Sequence, residues 1–274
     1  MLFDAAANEW YGAAGLSLLA GVGAAVLGVL PIGPGQALAG SSVDAVVVVL
    51  AYVLQLRAEV QYDRAETMRR QSVFTEALHW PVSRVQLDEW ERKVGKKVRD
   101  RAAHTPRDPS YYTTEVKEAG AERLAEMAAE SAFYTRHLYG NLQTVLWRAL
   151  AMSVAAVVVS MAVVIISGVH GERERVVAQV LFAVIPILVS INVLGWALRL
   201  GHLVPGIRDV EDGLERLEES GTIELGRVMR LVAEYNCLVV EGIPMPSRLW
   251  TWWRPDIDTQ WRRRQRKLAQ DGRS

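Results

Sequence analysis

The chain has 274 residues, half of them hydrophobic, and its 31 basic and 31 acidic residues leave it without net charge. This composition excludes a basic nucleic-acid-binding protein, an acidic disordered tail and a collagen-like chain, and a single cysteine excludes internal disulfides. The averages conceal an uneven distribution of charge: residues 1–56 contain no Lys or Arg, and residues 149–198 contain four charged residues, all at positions 172–175. Such segregation predicts an integral membrane protein with polar segments attached.

Four transmembrane helices are predicted, arranged as two hairpins, because a helix needs ~20 apolar residues to cross the hydrocarbon core. They cover residues 11–30, 37–56, 149–167 and 178–198. The second is the least clear, since it reaches spanning length only by including Asp44. It is counted as a span because an odd number would place a basic segment on the outer side of the membrane.

The domain organisation follows from these spans and from the position of the basic residues. The segments are a first hairpin at 1–56, an insert at 57–148, a second hairpin at 149–198 and a tail at 199–274. The insert and the tail hold 16 and 13 basic residues, whereas the two short loops within the hairpins hold none and two. Because cytoplasmic segments carry the excess of Lys and Arg, the insert, the tail and both termini are predicted to be cytoplasmic.

The polar segments are predicted to be helical, and no stretch shows the alternating pattern of a strand, so the fold class is all-α. One helix continues from the second span to Trp80, where Pro81 disfavours further helix. A second helix covers residues 83–102, and a third begins near Pro109 and continues into the third span. The tail is expected to form helices at 207–220 and 222–241, separated at Gly221, and a Trp-rich final helix after the break at 242–247. A candidate basic cytoplasmic face on the second helix consists of Lys93, Lys96, Lys97, Arg99 and Arg101.

Catalytic motifs are not recognisable, so neither enzymatic activity nor a cofactor is expected. The five histidines do not occur at the spacing of a zinc protease, and the sequence contains neither a Gly-x-Ser-x-Gly elbow nor a Gly-Lys-Ser/Thr phosphate loop. No cysteine-rich metal site is available either, since Cys237 is the only cysteine and is expected to be a small buried hydrophobe.

Polar side chains in or beside the predicted spans are candidates for a pore lining. They are Asp44, Ser153, Ser160, Asn192 and Arg199. Ionisable groups at membrane depth are costly and for that reason often functional, and the two serines, like Asn192 and Arg199, are seven residues apart and share a helix face. The alternatives are that Asp44 caps its helix from the outer interface, that the polar groups form interhelical hydrogen bonds, and that Arg199 extends to the headgroups.

Tryptophans mark candidate membrane-interface positions, because indole rings favour the headgroup level. These residues are Trp10, Trp147 and Trp196 at the cytoplasmic ends of spans, and Trp250, Trp252, Trp253 and Trp261 in the final helix. A basic run at 262–267 follows the last group. The final helix therefore either lies on anionic lipid, or binds single-stranded nucleic acid, or packs its tryptophans within the protein and leaves a solvated basic end. A nucleic-acid polymer is not expected as a partner of a membrane-anchored chain.

Three stretches carry a family resemblance: residues 70–81 (RQSVFTEALHWP), residues 108–112 (DPSYY) with 130–134 (ESAFY), and residues 244–250 (PMPSRLW) with Arg254. In this order, with two hairpins of spans, they resemble the SMODS-associated four-transmembrane family. That family carries Gln-x-x-Phe-Asp…Leu-Pro-Trp after the second span, a Trp-Tyr segment before the third, and a Pro-x-x-Pro-Asp-x-x-Tyr tail. The sequence departs from these motifs in several positions: Thr75 and Ser247 replace aspartates, Glu241 replaces a basic residue, and Trp80-Pro81 reverses the usual order.

The resemblance implies a pore-forming effector of bacterial cyclic-oligonucleotide antiphage signalling. Such an effector is a homo-oligomer in the inner membrane that permeabilises the bilayer once a cyclic oligonucleotide or a sensor protein activates it, and the infected cell stops growing. The leading alternative is a non-conducting membrane scaffold or signalling protein whose helical cytoplasmic face docks a partner.

Overall fold

The structure is a computed structural model that describes residues 34–93, 118–167, 193–221, 223–245 and 247–271, with single positions at 9, 12, 13, 15, 16, 96, 100, 104 and 112. Within these residues there are six α-helices and no strand, which confirms the all-helical prediction. The helices are α1 (Pro34–Leu78), α2 (Arg84–Lys93), α3 (Ala121–Ser167), α4 (Val193–Glu219), α5 (Leu225–Val240) and α6 (Ser247–Asp271).

The end of α1 follows from local sequence. His79 adopts a positive φ of 55°, the left-handed conformation that commonly terminates a helix, and the Trp80-Pro81 pair prevents continuation. A capping box then starts α2: the Gln86 backbone N–H donates to the Ser83 hydroxyl (3.1 Å), and the Ser83 N–H donates to the Gln86 side-chain oxygen (3.2 Å). The predicted boundary at Trp80 is therefore confirmed to within two residues.

The start of α3 differs from the prediction. The helix begins at Ala121 rather than near Pro109, and residues 118–120 form bends. A tertiary contact accounts for this, because the Gly120 N–H donates to the Ala77 carbonyl in α1 (2.9 Å) while the Gly120 carbonyl accepts from Leu124 in the first turn of α3. From Ala121 the helix runs without interruption to Ser167, as expected from the sequence.

The tail forms helices at the predicted places, but the first of them, α4, begins at Val193 rather than at residue 207. Gly221, with a φ of 67°, separates α4 from α5, because a residue without a Cβ adopts the left-handed region without strain. Residues 241–245, between α5 and α6, are not helical. Along α5, residues 228, 232, 235 and 239 are buried, a spacing that places one apolar stripe on the helix.

The chain divides into two compact units, each described here by itself. The bundle unit comprises Val60–Asn141 and Leu200–Ser274, together with Met1–Ala7, which lies outside the described residues. The apolar unit comprises Asn8–Glu59 and Leu142–Arg199. By these boundaries, α1, α3 and α4 each contribute residues to both units.

The core of the bundle unit is built from one face of each of its long helices. Two glycines of α4 form notches for leucines of α5: the Cβ position of Gly206 is 3.1 Å from Leu238, and that of Gly213 is 3.0 Å from Leu231. Both pairs are seven residues apart along their helices, so the two helices pack closely and antiparallel. The largest fully buried side chains of this core are Leu124, Met127, Leu200, Leu203, Ile207, Leu214 and Ile257.

The apolar unit has a different surface. It exposes large hydrophobic side chains along α1, α3 and α4, among them Val49 (61%), Tyr52 (60%) and Met152 (68%). In the part of the chain that the structure describes, no helix combines the length and the apolar composition needed to cross a membrane. The predicted spans at 11–30 and 178–198 lie largely outside the described residues, and the four-span arrangement stays a prediction.

Candidate functional site

A small cleft lies between α1, α3 and α5 of the bundle unit. It has room for about one water molecule, and most of the space around it is open to solvent. The described residues that line it are Arg69, Arg70, Val73 and Phe74 from α1, Ala128 and Ser131 from α3, and Val232, Tyr235 and Asn236 from α5. Two adjacent arginines therefore border a cleft that, among its described lining residues, contains no carboxylate.

Arg69 is held from two sides. Its Nε donates to Glu66 Oε2 at 2.9 Å, and its guanidinium lies over the ring of Tyr235 at 5.5 Å. Burial alone lowers the pKa of this guanidinium, but Tyr235 and Glu66 raise it by more, so the pKa of Arg69 lies above its ordinary value. Tyr235 is itself fixed, since its hydroxyl donates to the Ser131 carbonyl (3.1 Å) and lies 2.8 Å from the Thr135 hydroxyl.

Arg70 connects α1 to α5 by one hydrogen bond, from its Nη2 to the main-chain carbonyl of Asn236 (3.2 Å). The Nη2 of Arg69 and the Nε of Arg70 are both shielded from solvent and have no hydrogen-bond partner in the described structure. The buried hydroxyl oxygen of Thr75, one turn further along α1, also lacks one. Because buried donors are normally satisfied, the two arginines mark this region as a candidate site, whereas Thr75 does not line the cleft.

A pair of tyrosines, Tyr62 and Tyr139, connects α1 to α3 outside the cleft. The hydroxyls of Tyr62 and Tyr139 are 3.0 Å apart, and Tyr62 donates to the Val239 carbonyl at 3.2 Å. Burial is the main cause that raises the pKa of both tyrosines above the ordinary value, so both hydroxyls remain protonated. The backbone of Gly242 packs directly against Tyr139, in a space that a Cβ atom would overlap.

A second charged cluster surrounds Glu211 on α4, which is 2% exposed. Arg136 of α3 donates through Nε to Glu211 Oε2 (2.6 Å) and through Nη2 to Oε1 (3.3 Å). Arg264 of α6 donates to the same Oε1 and, through Nη2, to Glu215 (3.1 Å). Two arginines from different helices thus compensate one buried carboxylate, and the cluster joins α3, α4 and α6.

Glu218 lies one turn beyond this second cluster. Burial raises the pKa of its carboxyl to about 7, and the nearby carboxylates of Glu126 and Glu215 act in the same direction while Arg264 opposes them. The side chain therefore titrates near neutral pH, unlike an exposed glutamate.

The terminal tryptophans lie mainly inside the bundle unit. Trp261 is 7% exposed and packs with Phe133, Leu138 and Ile257. Trp250 and Trp253 pack against that cluster, whereas Trp252 is 73% exposed. The prediction that Trp261 lies at a membrane interface is wrong, because its ring is part of the core, and helix packing of the tryptophans describes this segment better.

The candidate pore-lining residues that the structure describes lie in three different helices. Asp44 lies inside α1, ten residues after Pro34. The Ser153 hydroxyl donates to the Ala149 carbonyl of its own helix (2.8 Å), and Arg199 is exposed in α4. Ser160 lies in α3, and Asn192 is outside the described residues.

The remaining candidates are the tryptophans outside α6 and the basic residues at the end of α2 and after it. Trp147 is exposed and Trp196 is half-buried. Lys93 ends α2, and Lys96 is exposed. Trp10, Lys97, Arg99 and Arg101 lie outside the described residues.

The expectation for Cys237 is wrong. Its thiol is exposed on α5, because Val232, Tyr235 and Val239 form the stripe that meets the core. In the described segments, no group of three or more His, Cys, Asp or Glu side chains is arranged to hold a metal ion.

Sequence reasoning did not single out Arg69, Arg70 or the Glu211 cluster. The available signal was the spacing of Glu66 and Arg69, which places an acid and a base three residues apart on one helix. Comparison of the chain with protein-family models, with curated proteins and with solved structures finds no match.

Proposed function

We propose that the chain is a four-span bacterial inner-membrane protein whose apolar unit permeabilises the membrane and whose bundle unit controls this activity from the cytoplasm. The observation that carries the proposal is the surface of the apolar unit, where side chains such as Val49, Tyr52 and Met152 are more than half exposed. Large apolar side chains exposed to water are costly and are typical of a contact with lipid or with another subunit.

The distribution of charge supports the same proposal. The unit boundaries at Glu59/Val60, Asn141/Leu142 and Arg199/Leu200 lie close to the points where the sequence changes from charge-poor to charge-rich. The bundle unit carries most of the basic residues, as cytoplasmic parts of membrane proteins do.

The role as a pore-forming effector comes from the family resemblance. An oligomer of four-span subunits would supply the conducting path, and a cyclic oligonucleotide or a sensor protein would supply the signal. Because α1, α3 and α4 contribute residues to both units, the polypeptide offers a continuous covalent connection between a signal received by the bundle unit and the apolar unit.

The first test concerns membrane insertion. The full chain is expressed in bacteria, and the membrane fraction is extracted with alkaline carbonate. An integral protein remains in the pellet, as should the exposed-surface control Arg208→Gln in the bundle unit, whereas Met152→Lys should reduce the retained amount. Release of the wild-type chain by carbonate would contradict the membrane proposal.

The second test concerns conduction. The purified chain is reconstituted into dye-loaded liposomes and assayed with and without candidate cyclic oligonucleotides, and growth is followed on overexpression. Ligand-dependent dye release and growth arrest are the expected results. Membrane insertion without release or toxicity under any condition would favour the non-conducting scaffold.

A further inference from the structure

The side of α6 that points away from the bundle core has a distinct composition. Successive residues of an α-helix are about 100° apart, so the positions within about 60° of the direction opposite to the buried Ile257 form one outward face. All of them are exposed, and they are Arg248, Trp252, Pro255, Thr259, Arg262, Arg263, Arg266 and Gln270. Asp256 lies outside this face, about 80° from its centre. The outward face therefore combines four arginines with one large aromatic ring and contains no carboxylate.

The charges of the outward face are not compensated within the part of the chain that the structure describes. None of its four arginines forms an ion pair with a described carboxylate. The Nε groups of Arg262 and Arg266 donate instead to main-chain carbonyls of α6 itself, at 3.2 and 3.3 Å. The carboxylate of Asp258, beside this face, is already engaged, because it accepts from Tyr134 at 2.6 Å and lies 3.6 Å from Arg254. The outward face thus presents four positive charges to an external partner.

Trp252 adds an apolar contact to this charged face. Its side chain is 73% exposed, although its ring is stacked on that of Trp253 with centroids 6.5 Å apart. An indole ring in this position is costly in water and favours the headgroup level of a bilayer, where its apolar body and its N–H group are both accommodated. We propose that the outward face of α6 binds the surface of an anionic lipid bilayer, with the arginines at the phosphate groups and Trp252 among the headgroups.

The packing of α6 favours lipid over a nucleic acid. Binding of a single strand without sequence preference uses several aromatic rings along a groove, on which successive bases stack. In α6, Trp252 is the only exposed tryptophan, since Trp250 and Trp253 are half-buried and Trp261 is in the core. Arginines beside a single exposed ring are instead typical of polypeptides that bind an anionic leaflet. Because Ile257 and Trp261 are occupied by the bundle core, the contact with lipid is shallow and involves the outward face alone.

Binding of α6 to lipid deepens the proposed function and rests on it for the presence of a bilayer. The two membrane contacts differ in their physical basis. Insertion of the apolar unit depends on apolar surface and withstands salt, whereas attraction between arginines and anionic headgroups is screened by salt. High salt should therefore release α6 from the bilayer and leave the inserted segments in place.

The experiment places a nitroxide label at residue 259, in the middle of the outward face. The label is attached to Thr259→Cys in a chain whose only native cysteine is replaced by Cys237→Ser. The full chain is reconstituted into vesicles of phosphatidylcholine, with or without phosphatidylglycerol. Electron paramagnetic resonance then measures the collisions of the label with oxygen and with a water-soluble nickel chelate. In the anionic vesicles alone, we expect oxygen collisions to increase and nickel collisions to decrease, and high salt should reverse both changes.

Two double variants separate a site on α6 from a general effect of positive charge. Arg263→Gln with Arg266→Gln removes two charges from the outward face. Arg208→Gln with Arg227→Gln removes two charges from exposed positions of α4 and α5. The first pair should lower the ratio of lipid-contacting to water-exposed label by about fivefold for each charge removed, and the second should leave that ratio unchanged. Circular dichroism establishes that both double variants are folded.

Each outcome supports or overturns the proposal. Contact that requires both anionic lipid and the arginines of the outward face supports it. The proposal is overturned if the label stays water-exposed in both kinds of vesicle, if it contacts neutral lipid equally, or if the two double variants behave alike. Protection of the label by single-stranded DNA and not by anionic lipid also overturns it, in favour of a nucleic-acid partner. Failure of the proposed function is distinguishable, because a chain that does not insert is released by carbonate and still sediments with anionic vesicles through α6.

Discussion

Two clusters of arginines in the bundle unit differ in whether their donors are satisfied. Around Glu211, the two arginines converge on one carboxylate, and Glu215 accepts a further bond. Around Arg69 and Arg70, one carboxylate and one main-chain carbonyl serve two guanidinium groups, and two buried N–H groups are left over. The first cluster is complete without a ligand and acts as a joint between helices. The second leaves two N–H groups unpaired, and an unpaired polar group is costly in the low-dielectric interior of a protein.

The largest effect is expected from Glu211→Gln. The variant removes the charge that compensates Arg136 and Arg264, and losing one partner of a buried ion pair typically costs about 3–5 kcal/mol. The free energy of unfolding of the purified chain, measured by chemical denaturation, should fall by that amount. Asp212→Asn is the matched control, because Asp212 and Arg208 form an exposed pair at 3.9 Å, and it should change stability by less than about 1 kcal/mol. Equal effects of the two variants would contradict the description of Glu211 as the centre of a joint.

A second variant, Gly242→Ala, tests the packing that surrounds the tyrosine pair. The added methyl would overlap the Tyr139 hydroxyl and lie 2.8 Å from the Val239 carbonyl, so Tyr139 must move and its bond to Tyr62 is disturbed. We expect a loss of about 1–3 kcal/mol, the usual cost of overpacking. Gly226→Ala, at a helical position with open space around it, should instead stabilise the chain by about 0.5–1 kcal/mol. Thermal unfolding of both variants decides the matter, and a stable Gly242→Ala protein would mean that Tyr139 is not fixed there.

The third variant, Glu218→Gln, is expected to change the stability of the chain by an amount that depends on pH. Because the pKa of Glu218 is raised to about 7 by burial, ionisation costs more in the folded state than in the unfolded state, where the ordinary value is 4.5. The penalty is absent below about pH 4.5, grows between that pH and pH 7, and is complete above it. Glu218→Gln should therefore be more stable than the wild type by about 1–2 kcal/mol at pH 8 and equal to it at pH 4. A difference that does not vary with pH would show that Glu218 does not titrate in this range.

Some of these structural features could be predicted from the sequence, and others could not. The end of α1 before Pro81 and the break at Gly221 follow from local backbone preferences, and both were predictable. The start of α3 was not, since it depends on a hydrogen bond from Gly120 to Ala77 in another helix. The cleft has the same origin: Arg70 and Asn236 are 166 residues apart, and only the packing of α5 on α1 brings them together.

The smallest effect on stability is expected from Arg70→Met, in the arginine pair whose N–H groups are not all paired. Arg70→Met removes a buried donor that has no acceptor and gives up one bond to a main-chain carbonyl, so the loss and the gain are of similar size. We expect the free energy of unfolding to change by less than about 1 kcal/mol. Arg264→Met, which takes a guanidinium away from Glu211, should cost about 3 kcal/mol by the same measurement, because the buried carboxylate keeps only Arg136. If Arg70→Met proves as destabilising as Arg264→Met, Arg70 is a structural joint like its counterpart. If it is nearly neutral, Arg70 contributes little to stability, in contrast to the arginines that surround Glu211.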